Sequence, residues 1–298
     1  MLNLNKTRLL FGLTASLFAA LGSTADDALQ LASLEPGTAA VSEWQALNPR
    51  KLQLKSAAAL IVDRHGNEVY AKQADTPMPI ASITKLMTAM VIMDAEQPLK
   101  ERIAITRDDR DRLRNTGSRL GYGASLTREE LLRLMLMASE NRAASALART
   151  WPGGKQDFVN TMNLKAFILD MYDSRFAGAS GLNAGNVASA RDLVKLVRAA
   201  LRYPLIHAAT TTRSISVFPY KRRGPLHYHN TNRLLRNANW EIQLSKTGYI
   251  NEAGRCLTMQ AEIADQPLTI ILLNSYGKLT PIGDSNRIRK WIEGGLEG

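Results

Sequence analysis

Cysteine is almost missing. Cys256 is the only one in 298 residues, so no disulfide can close within the chain, even in an oxidising compartment, and stability must come from a packed core. Set in the run CLTMQAEI, that cysteine reads as a small buried residue of a strand. Long hydrophobic runs are scarce as well. The run Leu9–Leu21 falls short of the roughly 20 residues that cross a bilayer. It follows Lys6 and Arg8 and gives way to small residues ending at Ala25, the three-part layout of an export signal. Residues 1–25 are therefore expected to be removed, leaving no stable membrane span. Acidic residues are in deficit too: 27 against 38 basic ones, a net charge of +11. Loss of Lys6 and Arg8 leaves 11 − 2 = +9 on the rest. A basic surface favours an anionic partner. An exported protein seldom meets nucleic acid, so nucleic acid is set aside and a wall polymer is favoured.

Repeats, low-complexity tracts and two common hydrolase motifs are also absent. Without G-x-S-x-G there is no signature of an α/β-hydrolase nucleophile. Without H-E-x-x-H the candidate zinc ligands reduce to His207, His227 and His229, and Arg222, Arg223 and Arg233 would repel a cation there. No metal or other cofactor is expected.

What is present reads as one folded unit behind a leader. Residues 26–50 mix Ala, Ser, Pro and Gly without periodicity, which predicts a linker, with the catalytic unit spanning 51–298. AAALIVD (57–63) and EVYAKQ (68–73) flank RHGN as a hairpin. Pro79 suits the entry to a helix over Ile80–Met93. Thr127 and Glu130 have capping-box spacing ahead of an apolar run to Ala138. A further alanine-rich helix stops before Trp151-Pro152-Gly153-Gly154, so Ser139-Glu140-Asn141 lies between two helices. Helices are also predicted near Asp157–Leu169 and Ser189–Leu201, on either side of a glycine-rich loop over 178–186. ISVFP, WEIQLSKTG, CLTMQAEI and LTIILLN are β-like, and SNRIRKWIEG is a closing helix. The order predicts an α+β fold: an antiparallel sheet from both chain ends (about 51–80 and 205–298), helices on its faces, a helical subdomain (about 86–204) and a cleft between them.

The chemistry sits in three short motifs. In ASITKLMTAM, Ser82 and Lys85 are three apart on a helix, neighbours with about 5 to 6 Å between Cβ atoms. A serine hydroxyl needs a base to become a nucleophile. A lysine serves only when neutral, a state that burial and a second nearby cation favour. In SEN, Ser139 can relay a proton and the Asn141 amide can bond both the lysine and a substrate. In KTG, on a strand lining the cleft, Lys246 supplies the second cation and Thr247 a hydroxyl for a substrate carboxylate. Gly248 lets a substrate backbone approach.

The ordered set S-x-x-K, S-x-N, K-T-G is a known signature of penicillin-binding proteins and class A β-lactamases. With its flanks ASITKLMTAMV, LLRLMLMASENRAASALA and KTGYINEAGRC, the chain resembles the low-molecular-mass penicillin-binding proteins, serine D,D-peptidases. Within these it is most similar to the soluble D-alanyl-D-alanine endopeptidases of the penicillin-binding protein 7/8 type. The resemblance covers nearly all of residues 50–298 and implies the penicillin-binding protein/β-lactamase-like transpeptidase fold. It implies that Ser82 attacks a D-alanine carbonyl, that Lys85 takes its proton, and that the backbone N–H groups of Ser82 and Tyr249 form the oxyanion hole. It also implies a periplasmic enzyme acting on peptidoglycan stem peptides and cross-links, inhibited by β-lactams and free of metal.

Three other functions share part of this pattern. A class A β-lactamase needs a glutamate for deacylation, and none occurs between Glu140 and Glu241. A D-alanyl-D-alanine carboxypeptidase would share the motifs, but many such relatives carry a further β-rich domain and an amphipathic anchor, for which the stretch after KTG leaves no room. A non-catalytic wall- or penicillin-binding protein would not require Ser82, Lys85 and Lys246 together.

Overall fold

The computed structural model describes residues 43–296; the expected export signal lies outside the described residues. Strands Ala58–Val62 (β1) and Glu68–Lys72 (β2) form the expected hairpin, and Met78–Pro79 (β3) leads to helix Thr84–Asp94 (α1). The helical region then runs through strands Arg102–Ala104 (β4) and Ser125–Thr127 (β5) and helices Arg128–Met137 (α2), Asn141–Arg149 (α3) and Gly154–Ile168 (α4). Strand Val187–Ala188 (β6) and helices Ala190–Ala200 (α5) and Pro204–Thr211 (α6) follow. Strands Ser214–Val217 (β7), Leu226–His229 (β8), Glu241–Ile250 (β9), Gly254–Ile263 (β10) and Gln266–Ser275 (β11) precede helix Thr280–Leu296 (α7).

Both chain ends build one antiparallel sheet, in the order β2-β1-β11-β10-β9. Every residue of β1 is buried, as expected where both faces of a strand are covered. Alternation sorts its side chains. Ala58, Leu60 and Val62 join a core with α1, α2, α3 and α5. Ala59 and Ile61 join a second core with Ile288 and Ile292 of α7. On β9, Leu244 and Ile250 belong to the helix-side core, so Lys246 and Gly248, with the same parity, face the helices. β9 is an edge strand, and its free side borders the cleft.

Thr127 and Glu130 close the expected capping box: Oγ1 of Thr127 accepts from the Glu130 N–H at 3.1 Å, and Glu130 Oε2 accepts from the Thr127 N–H at 2.7 Å. Cys256 lies buried in β10, and burial pushes its thiol up to about 11.

Four expectations need correction. Residues 43–50, expected in the linker, belong to the folded unit. They form two 3-10 turns, Glu43–Ala46 and Pro49–Lys51, and Trp44 and Leu47 pack into the α7-side core. Trp44 Nε1 donates to Asp63 Oδ2 at 3.0 Å, a tertiary contact that local composition cannot signal. ISVFP does not enter the main sheet: β7 pairs only with β8, and both strands bury a single residue, Val217 or Tyr228. Such half-exposed strands do not suit an interior place. The segment assigned to the sheet also contains α6, with Pro204 at its first position. Finally, Pro79 ends β3, and the helix begins only at Thr84, after a 3-10 turn over Ala81–Ile83.

Candidate active site

That delayed helix start exposes Ser82. Ile80 N–H bonds the Asn186 carbonyl at 3.0 Å, which fastens the chain just past the end of β3. Ala81 then takes a left-handed φ of 46°, a strained conformation for a residue with a Cβ. The reversal leaves Ser82 partly exposed in the 3-10 turn, while α1 is buried from Thr84 through Ile92.

Lys85 lies inside this helix with 0% of its surface exposed. Its Nζ is 2.8 Å from Ser82 Oγ, 2.8 Å from Asn141 Oδ1 and 2.5 Å from the Ser180 carbonyl oxygen. Asn141 Oδ1 and the carbonyl can only accept, whereas a serine hydroxyl can also donate. A neutral amine fits this shell: two N–H donors go to the fixed acceptors, and the lone pair receives the Ser82 proton. Burial first, and then the Lys246 charge, hold Lys85 well below the usual lysine range, with Glu140 pulling the other way.

The second amine, Lys246, is 1% exposed and donates to Ser139 Oγ at 3.0 Å and to the Thr247 carbonyl at 2.9 Å. Burial pushes it down to about 7. Ser139 holds a left-handed φ of 58° just past the end of α2. Helices commonly close with glycine in that conformation; a serine there carries its hydroxyl to Lys246.

Thr247 Oγ1 is 2.7 Å from Thr231 Oγ1, which ties the segment after β8 to β9. Gly248 was expected to admit a substrate backbone. Its neighbour is the nucleophile's own turn instead: a Cβ on Gly248 would lie 2.9 Å from Ser82 N and 3.0 Å from Ile80 O. Tyr249 is half-exposed at the cleft rim, with the Arg255 guanidinium 3.8 Å from its ring centroid.

The structure thus brings two hydrogen-bonded groups, Ser82–Lys85–Asn141 and Ser139–Lys246, to one cavity, with Thr247, Gly248 and Tyr249 on its border. Two partners escaped the sequence reading. Ser180 contributes a main-chain oxygen from the glycine-rich loop, a segment noticed without a role. Thr88 Oγ1 holds this loop to α1 through the Ala179 carbonyl at 2.7 Å. Gly181 (φ 79°) has no room for a side chain, since a Cβ there would lie 2.0 Å from Ala81 O. Thr116 Oγ1 accepts from Asn141 Nδ2 at 3.1 Å and donates to Asp111 Oδ2 at 2.8 Å, which fixes the amide so that its oxygen faces Lys85. No spacing rule points to Thr116.

The cavity has a volume of about 670 Å³, within the range of small-molecule sites. Among the described residues, no group of three or more His, Cys, Asp or Glu could hold a metal ion. His227 and His229 do share one exposed face of β8, and His227 Nδ1 lies 2.7 Å from Ser216 Oγ.

A partly exposed serine primed by a buried amine, in a cleft between an antiparallel sheet and a helical lobe, defines the serine hydrolases of the penicillin-binding class. The chain belongs to the D-alanyl-D-alanine carboxypeptidase family, peptidase S11, whose model matches residues 44–277. It is 42% identical over 248 residues to the D-alanyl-D-alanine endopeptidase of Pseudomonas aeruginosa, covering 83% of this chain and 80% of that protein. The Escherichia coli D-alanyl-D-alanine endopeptidase is 42% identical over 244 residues, 82% of this chain and 79% of that one. Penicillin-binding protein D2 of Listeria monocytogenes, solved in its cefotaxime-bound form, superposes with a TM-score of 0.71 at 27% identity, covering 81% of this chain and 98% of that one.

Proposed function

We propose that this chain is a periplasmic serine D,D-peptidase that hydrolyses D-alanyl bonds of peptidoglycan through an acyl-enzyme on Ser82. Its preferred bond is the D-alanine to diaminopimelate cross-link, and penicillins inhibit it. The observation that carries this reading is the fully buried Lys85 Nζ 2.8 Å from Ser82 Oγ, with two further partners that can only accept. The endopeptidase relatives support the choice of bond, and the cefotaxime-bound neighbour supports β-lactam recognition.

In the acylation step neutral Lys85 takes the Ser82 proton as Oγ bonds to the D-alanyl carbonyl carbon. The N–H groups of Ser82 and Tyr249 receive the developing oxyanion, and each such donor is worth about 3 to 4 kcal/mol of barrier. The tetrahedral adduct expels the amine, which needs a proton. Ser139 can pass one, because its hydroxyl accepts from Lys246 and leaves its own hydrogen free for the leaving nitrogen. Water then attacks the ester carbonyl: Oγ leaves with the proton that Lys85 took, which restores the Ser82 hydroxyl and the neutral amine, and the proton lost by water replaces the one that Lys246 supplied through Ser139. Thr247 offers its hydroxyl to a carboxylate on the leaving side, and Asn141 its amide to the substrate backbone. A penicillin enters the same path but releases no free amine. Its expelled amine stays tethered to the acyl group and keeps the leaving side of the cleft filled against water, so the adduct persists.

The test is mass spectrometry after excess benzylpenicillin, followed by incubation with purified cross-linked muropeptide dimers and with free pentapeptide. The expected results are one penicilloyl adduct on Ser82, none in Ser82→Ala, and faster consumption of dimer. A mass that never changes defeats the acyl-enzyme. Preferential trimming of pentapeptide replaces the endopeptidase by a carboxypeptidase.

A further inference from the structure

The cleft extends past Thr247 into an arm whose charge the acyl-enzyme chemistry does not use. Its lining includes Arg233, Arg236, Arg255 and Lys278 and not one Asp or Glu. Among the described residues, none of these four side chains makes an ion pair or donates a hydrogen bond. Some arginines elsewhere are paired, Arg191 with both Glu68 and Asp75 and Arg149 with Asp109, and others such as Arg107 and Arg110 line a separate cavity; what sets these four cations apart is that they share one cavity with Ser82 and no carboxylate. Like charges gathered without counter-charges repel one another, and an anion bound among them relieves that repulsion.

The arm is also held rigidly. Arg233 and Arg236 lie on one 3-10 turn, Arg233–Arg236, and residues three apart on such a turn are eclipsed. Both arginines are exposed, while Leu234 and Leu235 between them are buried. Asn232 caps the turn, accepting from the Leu234 N–H at 3.0 Å. The Thr231–Thr247 contact ties its entrance to β9.

We propose that this arm is a subsite for the carboxylates of the second stem peptide in a cross-linked substrate, built on Arg233, Arg236 and Lys278. The proposal rests on the function argued above for the identity of the polymer. Chemistry separates the two candidate substrates. The amine released from a pentapeptide is one D-alanine with a single carboxylate, which the Thr247 hydroxyl can receive. The amine released from a cross-link is diaminopimelate, with a carboxylate beside the cleaved bond and a whole acidic peptide behind it. That peptide must continue beyond Thr247, where the unpaired cations stand. The arm therefore favours dimers over pentapeptide by charge as well as by room.

Binding to the Ser82→Ala protein, which cannot turn over, separates this subsite from catalysis. The probes are a cross-linked muropeptide dimer and the same dimer with its carboxylates amidated, titrated calorimetrically at low and high salt. The acidic dimer should bind about tenfold more tightly, the sum of two exposed charge pairs, and salt should erode the difference. Adding R233Q and R236Q should abolish the preference, and R233K with R236K should keep most of it. Equal affinity for the two dimers, no measurable binding of either, or a preference that survives R233Q and R236Q would overturn the subsite. The comparison of the two dimers needs no arginine variant to fold. Wild-type protein that binds the acidic dimer but never cleaves it would instead defeat the endopeptidase reading while leaving the subsite intact.

Discussion

Replacing Lys246 by methionine tests the buried amine pair through stability as well as rate. Burial lowers Lys246 from 10.5 to about 7. At about 1.4 kcal/mol per pH unit this is on the order of 5 kcal/mol. A depressed base binds fewer protons in the native than in the unfolded protein between those two values. Stability from this group therefore rises as the pH climbs from about 7 toward 10.5. Below that window both states hold the proton, and the full penalty of burying a cation is present. Lys246→Met removes the penalty but strands Ser139 Oγ and the Thr247 carbonyl, at a cost of about 1 to 3 kcal/mol.

The variant should consequently match or exceed wild-type stability near neutral pH and fall behind it in alkali. Urea denaturation followed by tryptophan fluorescence, over a series of pH values, measures the difference between the two slopes. The same substitution removes a charge that lowers Lys85, so the rising limb of penicillin acylation against pH should move upward. Parallel stability curves for the two proteins, or an unmoved acylation limb, would refute the coupled pair.

Thr116→Val deletes the acceptor 3.1 Å from Asn141 Nδ2; Ser82 acylation by labelled penicillin should slow about tenfold, with unfolding free energy changed by roughly 1 kcal/mol. Gly181→Ala forces a Cβ to within 2.0 Å of Ala81 O at a φ of 79°. Thermal unfolding should show a loss of about 2 to 4 kcal/mol, and acylation should collapse as the Ser180 carbonyl leaves Lys85. Trp44→Ala removes a side chain only 7% exposed from the core on the far side of the sheet; it should cost about 3 kcal/mol in denaturant titrations while penicillin acylation of the folded protein continues at its normal rate. If that truncation changes nothing, residues 43–51 are not part of the cooperative unit.

Much of this molecule is decided by the chain alone, because its signals are local or periodic. Ser82 and Lys85 meet because three residues along a helical path bring side chains together. Thr127 and Glu130 mark the start of α2 through bonds made within a single turn. The unbroken apolar runs of β1 and β11 demand cover on both faces, which is enough to place a sheet made from the two ends of the chain. Other features were settled only when distant segments packed. Ser139 and Lys246 are 107 positions apart (246 − 139) and converge because β9 turns one face toward the end of α2. The acceptor closest to Lys85 is a backbone oxygen of Ser180, and every residue type carries one, so nothing in the sequence could mark it. The depressed state of the two lysines likewise depends on excluding water from both at once. Burial of that kind belongs to the assembled core, and no stretch of ten residues encodes it.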